Sequence, residues 1–341
     1  PWRLFFGVES ASSGEVTRRR PFAPAAPNAM PYRLDPTFPL AAEFVRIARE
    51  QVRRGLDLAT RGGRSRKERL HGARTCCKKA RAVLKLGRTG TGRWHRRENR
   101  RLADAARALA RFRDADVLLD TLDRVRRNAG GRRSTHCHRR VRIALAAHAR
   151  RAADEGGSLD AGFRSFAAAL RASARQIDRW RPAPEFERVT DNFQRAYRRA
   201  RHAFGRAGRR GDAAAFHEWR KASKVWLYEC RLLRGAWEPG VKPLGRQMDR
   251  LCDDLGREHD LSVFRQQSRA FARGTDREFD HATLSAILHA SGEMRREYRT
   301  RALRRGGRLF AEQPKALARR VKRWWRLASR QETAPAVGLA P

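Results

Sequence analysis

One cationic constellation occurs twice in this chain. His71, Arg74 and Lys78 recur 146 positions later as His217, Arg220 and Lys224, and Arg111 and Asp114 recur at the same offset as Arg257 and Asp260. All five identities hold without a gap, and an internal repeat constrains architecture before any other signal is read. A duplicated fold needs only its apolar pattern to persist. Duplicated cations point instead to one anionic partner gripped from both halves. Lysine usage sharpens this. Of the 78 basic residues only nine are lysine, and five of those (Lys78, Lys79, Lys85, Lys221 and Lys224) lie in the two motif segments. A compact ammonium is used there in a chain whose default cation is arginine.

The spacing converts these residues into a line. His71, Arg74, Lys78, Arg81 and Lys85 are separated by 3, 4, 3 and 4 positions, which places all five on one helical face. One residue earlier runs the apolar series Leu70, Ala73, Cys77, Ala80 and Leu84. The segment is therefore predicted to bury one stripe and to present a cationic line roughly 21 Å long beside it. In the second copy the apolar stripe is Phe216, Trp219, Trp226 and Cys230, interrupted by Ser223. Lys221 adds a cation one turn from His217, Leu227 takes the place of Arg81, and Tyr228 offers a hydroxyl one turn beyond Lys224. Aligned like charges cost a helix a few tenths of a kcal/mol per pair. A phosphate chain laid along the line would turn that repulsion into charge-assisted hydrogen bonds, forked from arginine, point-like from lysine, and from histidine strengthened on protonation. A solvated face is the ordinary explanation of a basic run, but histidine adds little to such a face, and here it returns at the same register.

Further along each half comes the second motif. Leu102, Ala105, Leu109 and Phe112 form an apolar line matched by Met248, Leu251, Leu255 and Glu258. Arg111 and Arg257 are phosphate-contact candidates. Asp114 and Asp260 are unusual inside a cationic surface; each either holds a neighbouring His or Arg in place or forms an ordinary surface ion pair, and the supporting role is favoured. Arg113 becomes His259 in the second copy, so that position breaks the symmetry.

Positioning these lines requires helices, and almost everything after Pro39 reads as amphipathic helix rich in Ala, Leu and Arg. Strand signals are nearly absent. Helices are predicted near 39–61, 65–87, 93–128, 132–155 and 159–180, then near 185–208, 212–236, 241–273, 276–305 and 312–328. Glycine and proline clusters supply the breaks, among them Gly62-Gly63, Gly130-Gly131, Gly156-Gly157, Gly208 to Gly211, Gly274 and Gly306-Gly307. The expected fold is all-α, with two pseudo-symmetric four-helix bundles, each with a trailing helix, flanking a basic groove. The expected division is a disordered or non-native extension at 1–31, a first helical repeat at 32–181, a second at 182–328 and a flexible tail at 329–341. Met30 is read as the natural start, with 1–29 an over-extended reading or an extra tail.

Composition bounds the rest. With 78 Lys+Arg against 36 Asp+Glu the formal charge is +42, and hydrophobic residues make up 40 %. The chain can build a core, and its surface attracts nucleic acid, acidic membranes or polyphosphates. Five cysteines without a CxxC pair argue for free thiols in a reducing compartment. No run of 18 apolar residues is present, so no membrane span is expected. Residues 1–29 lack the apolar stretch of a signal peptide.

These residues resemble the CHAD family, the conserved histidine α-helical domains. The resemblance rests on His71-x-x-Arg74-x-x-x-Lys78 with "LARFRDADVLLDTL" from Leu109, and on His217-x-x-Arg220-x-x-x-Lys224 with "LCDDLGREHDLSVF" from Leu251. The opening "MPYRLDP" at Met30 is also similar, and the likeness runs from about Tyr32 to Trp325. It implies two helical bundles around a basic groove that binds inorganic polyphosphate, and association with polyphosphate granules. Carried over, His71, Arg74, Lys78, Lys79, Arg81 and Lys85 line one wall, and His217, Arg220, Lys221, Lys224 and Tyr228 the other. Leu227 and His259 depart from the family pattern. The N-terminal triphosphate-tunnel domain of many relatives has no ExExK counterpart here.

Other readings compete. A histidine beside arginine could serve a polyphosphate-processing enzyme as nucleophile or general acid, but no carboxylate cluster for Mg²⁺ and no P-loop is present. His136 and His138 flank Cys137, yet positions i and i+2 of a helix point apart, so no metal site is expected. A non-specific nucleic-acid binder fits the charge, but it would interleave exposed aromatics for base stacking, and Trp219 and Trp226 fall on the apolar stripe. A scaffold recruiting proteins to granules is a third reading. The expectation is a non-catalytic, cytoplasmic, bacterial binder of inorganic polyphosphate, with weak nucleic-acid binding, no cofactor, no metal and no membrane partner.

Overall fold

A computed structural model of the chain describes residues 31–330 apart from 62, 91, 129–134, 155–156 and 274–280; the side chains at 115, 135–137, 148–150 and 152–154 are also outside the described set. Residues 1–30 of the expected extension (1–31) and 331–341 of the expected tail (329–341) therefore lie outside it, as do Gly62, Gly130-Gly131, Gly156 and Gly274 of the expected breaks and the side chains of His136 and Cys137. The described residues contain helices α1 (Leu40–Thr60), α2 (Arg66–Leu86), α3 (Arg93–Ala108), α4 (Ala110–Asn128), α5 (Thr135–Asp154), α6 (Leu159–Ile177), α7 (Phe186–Arg210), α8 (Ala213–Leu232), α9 (Glu238–Arg273), α10 (His281–Leu309) and α11 (Pro314–Arg330). A short 3-10 turn, Leu233–Ala236, follows α8. No strand occurs among the described residues, so the fold is all-α as predicted.

The two motif helices are both started by side-chain caps. Ser65 and Glu68 form a reciprocal capping box on α2, and Asp212 accepts from the Ala215 N–H at 2.7 Å on α8. Each cap satisfies an otherwise orphaned N–H and is worth about 1 kcal/mol. Both apolar stripes are buried as read from the spacing. Leu70, Ala73, Cys77, Ala80 and Leu84 are at most 1 % exposed, and Trp219 and Trp226 are fully buried. Ser223, the break in the second stripe, is also fully buried.

The packing departs from one separate four-helix bundle per half. One core cluster draws on α1, α2, α3 and α6 and equally on α7, α8, α11, the start of α9 and the end of α10. A second cluster joins Leu118, Leu122 and Val125 of α4, Val141 and Leu145 of α5, Leu261 and Phe264 of α9, and Leu284, Ile287 and Met294 of α10. The α4–α5 and α9–α10 hairpins, one from each half, close on each other. Length gives the reason: α9 has 36 residues, roughly 54 Å, and helices of about 20 residues cannot cover both of its ends.

Helix boundaries differ from expectation at three places. The helix predicted over 93–128 breaks at Leu109 into α3 and α4, whereas its counterpart α9 is continuous. The helix predicted to end at 208 continues through Gly208 to Arg210 and is terminated by Gly211 in the left-handed region at φ 65°. Gly306-Gly307, expected to break the chain, lies inside α10. A Cβ at Gly306 would stand 2.8 Å from ring atoms of Phe204 and Trp219. This glycine is a contact residue rather than a stop signal.

The halves are also sewn together by polar contacts. Asn192 of α7, 4 % exposed, donates to the carbonyls of Leu86 and Arg88 at 2.9 Å each, capping the end of α2. The Ala183 N–H donates to the Gly87 carbonyl at 2.8 Å. These contacts set where α2 ends relative to α7 and α8.

Candidate functional site

α2, α7 and α8 enclose a cavity of about 420 Å³. α2 contributes Lys78, Arg81 and Lys85; α8 contributes Arg220, Lys221, Lys224 and Tyr228; α7 contributes Arg199 and Arg206. Eight of the fourteen lining residues are Lys or Arg, and Glu218 is the one acid. Glu218 is paired with Lys221 at 2.8 Å. Both motif lines therefore reach the same cavity, where α2 and α8 lie against each other.

Beyond Lys78 the cationic cluster continues past the cavity. Lys78 is surrounded by Arg220, Arg74, Arg113 and Lys224. His71 faces Arg113, Lys78, Lys224 and Arg74. His217 contacts His259, Nδ1 to Nδ1 at 3.3 Å, with ring centroids 4.6 Å apart. Asp114 stands among Arg74, Arg113, Asp260 and Arg220, and Asp260 among Arg113, Arg220, Arg124 and Arg257. The two motif aspartates, one from each half, thus lie within electrostatic reach of each other amid arginines, without a direct ion pair among the described residues. Arg74 also donates to the Ala106 carbonyl at 2.7 Å, and Arg81 to Asn99 Oδ1 at 3.0 Å. Those bonds hold α2 against α3.

Crowding of like charges shows in the protonation of the cluster. Burial, then the neighbouring Arg220, pushes the Lys78 ammonium down to about 7. Burial, then Arg81, pushes Lys85 down to about 8 against the opposing pull of Glu229. Desolvation and Arg113 take His71 to about 4, and desolvation and Arg220 take His259 to about 3. Desolvation and Lys221 lower His217. Near neutral pH these imidazoles are uncharged, so each offers one N–H. Behind Lys85 lies Glu229, 1 % exposed, whose carboxyl burial raises well above its usual range. An anion entering the cavity would favour the charged lysines and histidines and draw protons into the site.

Not every sequence candidate joins this cluster. Lys79 lies over the Tyr32 ring at 4.9 Å, among Cys76, Arg54, Arg231 and Glu50, one helical step away from the cationic line. Arg111 donates to the Gly157 carbonyl at 3.2 Å and covers the Phe112 ring at 4.6 Å, outside the cluster. Arg257 stands near Asp260 but does not line the cavity. Glu258, matched to Phe112 by the repeat, is 1 % exposed and accepts from Arg295 at 3.1 Å and Arg299 at 2.8 Å, a buried ion pair in place of an aromatic. Sequence reading missed Arg113, Arg199 and Arg206. Arg113 was passed over because it lacks a counterpart at His259. Arg199, Ala203 and Arg206 fall at i, i+4 and i+7, a face that was legible.

The remaining titratable groups offer little reactivity. Burial pushes the Cys76, Cys77 and Cys252 thiols up to about 11, 12 and 11, which makes thiolates scarce. No three of His, Cys, Asp and Glu converge to hold a metal among the described residues. No helix among them is long and apolar enough to cross a membrane.

Comparison with known proteins bears on the same arrangement. The chain is similar to the crystal structure of the CHAD domain from the plant Ricinus communis, with a TM-score of 0.54 at 18 % identity over 82 % of this chain and 94 % of that one. It is also similar to PptA from Streptomyces chartreusis, with a TM-score of 0.57 at 16 % identity over 81 % of this chain and 100 % of that one. At such identities the likeness speaks to the fold alone. A search of curated proteins returned no match. The CHAD domain profile matches residues 44–269 and so takes in both motif helices, α2 and α8. With the duplicated histidine motifs brought to one cationic cluster inside the matched region, the chain belongs to the CHAD domain family.

Proposed function

We propose that this protein binds inorganic polyphosphate, without catalysis, in a basic groove whose walls are the two repeated helices α2 and α8. One observation carries the reading: eight lysines and arginines line a single cavity with one acid among them, and that acid is already paired with Lys221. Such a site is electrostatically unfavourable when empty, and a polyanion relieves it. The cationic line from Lys85 to His71 spans 14 residues of α2, roughly 21 Å, which suits a chain of phosphates better than a single one. Tyr228 is the one aromatic lining residue and is 7 % exposed, while Trp219 and Trp226 are fully buried. A site without stacking platforms favours phosphate over bases. In this reading the halves are pseudo-symmetric copies sharing one ligand, and the protein localises to polyphosphate granules in the cytoplasm.

The test replaces Lys78, Arg220 and Lys224 together with alanine and measures affinity for labelled polyphosphate at physiological salt. A loss of at least a hundredfold is expected, against a few-fold loss when three exposed arginines elsewhere are removed. Equal losses in the two variants would show that bulk charge binds the ligand. Single-stranded DNA competing as well as polyphosphate would favour the nucleic-acid reading, and released orthophosphate would favour an enzyme.

A further inference from the structure

A second cavity, of about 460 Å³, lies where α7 meets the start of α11. Arg198, Arg201 and His202 of α7 face Lys315 and Arg319 of α11 across it, and no acidic residue lines it. Arg198, His202, Lys315 and Arg319 have no ion-pair partner among the described residues. The corner carrying α11 is fixed from α7. The Tyr197 hydroxyl donates to the Glu312 carbonyl at 2.8 Å, and Arg201 Nε donates to the Phe310 carbonyl at 2.9 Å. The Leu317 N–H closes the first turn on the Gln313 carbonyl at 3.1 Å. The N–H groups of Lys315 and Ala316, both lining residues, therefore precede the first intrahelical bond and have no intrahelical acceptors.

Helical geometry relates this cavity to the first. Arg199, Ala203 and Arg206 line the first cavity, while Gln194, Arg198, Arg201 and His202 line the second. At 100° per residue the two sets are about a third of a turn apart on α7, separated by on the order of 10–15 Å over the helix surface. One helix thus carries two arginine faces leading from one cavity to the other.

We propose that the second cavity is an outer anion site that holds a further stretch of the same polyphosphate chain after it leaves the α2–α8 cavity and crosses α7. This rests on the polyphosphate-binding reading and adds the site that makes affinity depend on chain length. Short chains fill the first cavity alone. Long chains engage both, and the second contact forms at a high effective concentration set by the short span.

The test uses tripolyphosphate and a long-chain polyphosphate as probes, with affinities measured by calorimetry on the full chain. Replacing Arg198, Lys315 and Arg319 with alanine should weaken the long chain about tenfold or more and leave tripolyphosphate within twofold. A control removes three exposed arginines that line neither cavity: Arg139, Arg164 and Arg171. Equal long-chain losses in the two variants would overturn the proposal, as would an equal loss for tripolyphosphate. Failure of the underlying reading is seen separately: the Lys78, Arg220 and Lys224 variant would then bind both probes as the unaltered protein does. Circular dichroism melting of each variant separates a lost site from a lost fold.

Discussion

The depressed lysines predict that polyphosphate binding takes up protons and weakens as pH rises from 7 to 9. Lys78 sits near 7 because burial and the cations Arg220, Lys224, Arg74 and Arg113 disfavour its charge. Lys85 sits near 8 under burial, Arg81, Arg199 and Arg88, with Glu229 opposing. A polyanion in the cavity reverses the balance and raises both values, so the bound form holds more protons than the free form. By linkage, affinity is then full below the free-state values and is lost as pH climbs through them. Between pH 7 and 9 the charged fraction of Lys78 in the free protein falls from about one half to about one hundredth, and that of Lys85 from about nine tenths to about one tenth. If the ligand requires both charges, the ceiling on the affinity loss is roughly 500-fold. Ionisation of the buried Glu229 at high pH would act in the same direction. The assay is isothermal calorimetry in buffers of different ionisation enthalpy at pH 7, 8 and 9, which counts the protons. Lys78→Arg supplies the discriminating variant, because arginine stays charged throughout. Its loss over the same range should shrink to about the tenfold due to Lys85. Affinity that is flat across this range, or an identical slope in the variant, would refute the assignment of the proton uptake to Lys78.

Two further predictions separate particular residues. Arg113→Ala should weaken polyphosphate binding at least fivefold, because Arg113 faces His71, Lys78 and Asp260; Arg111→Ala, a residue held at the Gly157 carbonyl, should have no more than a twofold effect, and titration of both variants with labelled polyphosphate checks the ordering. Gly306→Ala should destabilise the fold by about 1–3 kcal/mol, since the added Cβ meets Phe204 and Trp219 at 2.8 Å; a lowered melting temperature without a change in polyphosphate affinity at 20 °C is the expected result.

Much of the architecture was legible in the sequence because helices declare themselves locally. The 3-4-3-4 spacing on α2 marked both its buried stripe and its cationic line, and the 146-residue offset carried the same reading to α8. The same logic failed at Gly306, where a residue type that usually ends helices serves a close aromatic contact. It failed at Leu109 as well, since nothing in the local pattern distinguishes the broken α3–α4 from the continuous α9. Lys79 was carried over from the family resemblance and Arg111 from its recurrence as Arg257, yet Lys79 lies over the Tyr32 ring and Arg111 is held at the Gly157 carbonyl. Arg113 escaped notice because the repeat does not preserve it, although it stands at the centre of the cluster.

By itself the sequence determined the helical class and the duplicated cationic faces, both consequences of residue type at fixed spacing along one helix. Only the tertiary structure decided that α7 lends Arg199 and Arg206 to the cavity, that Asp114 and Asp260 of the two halves come within electrostatic reach of each other, and that the two long hairpins share a core. Those features depend on which helices cross and at what height, and periodicity along a single helix carries no record of its neighbours.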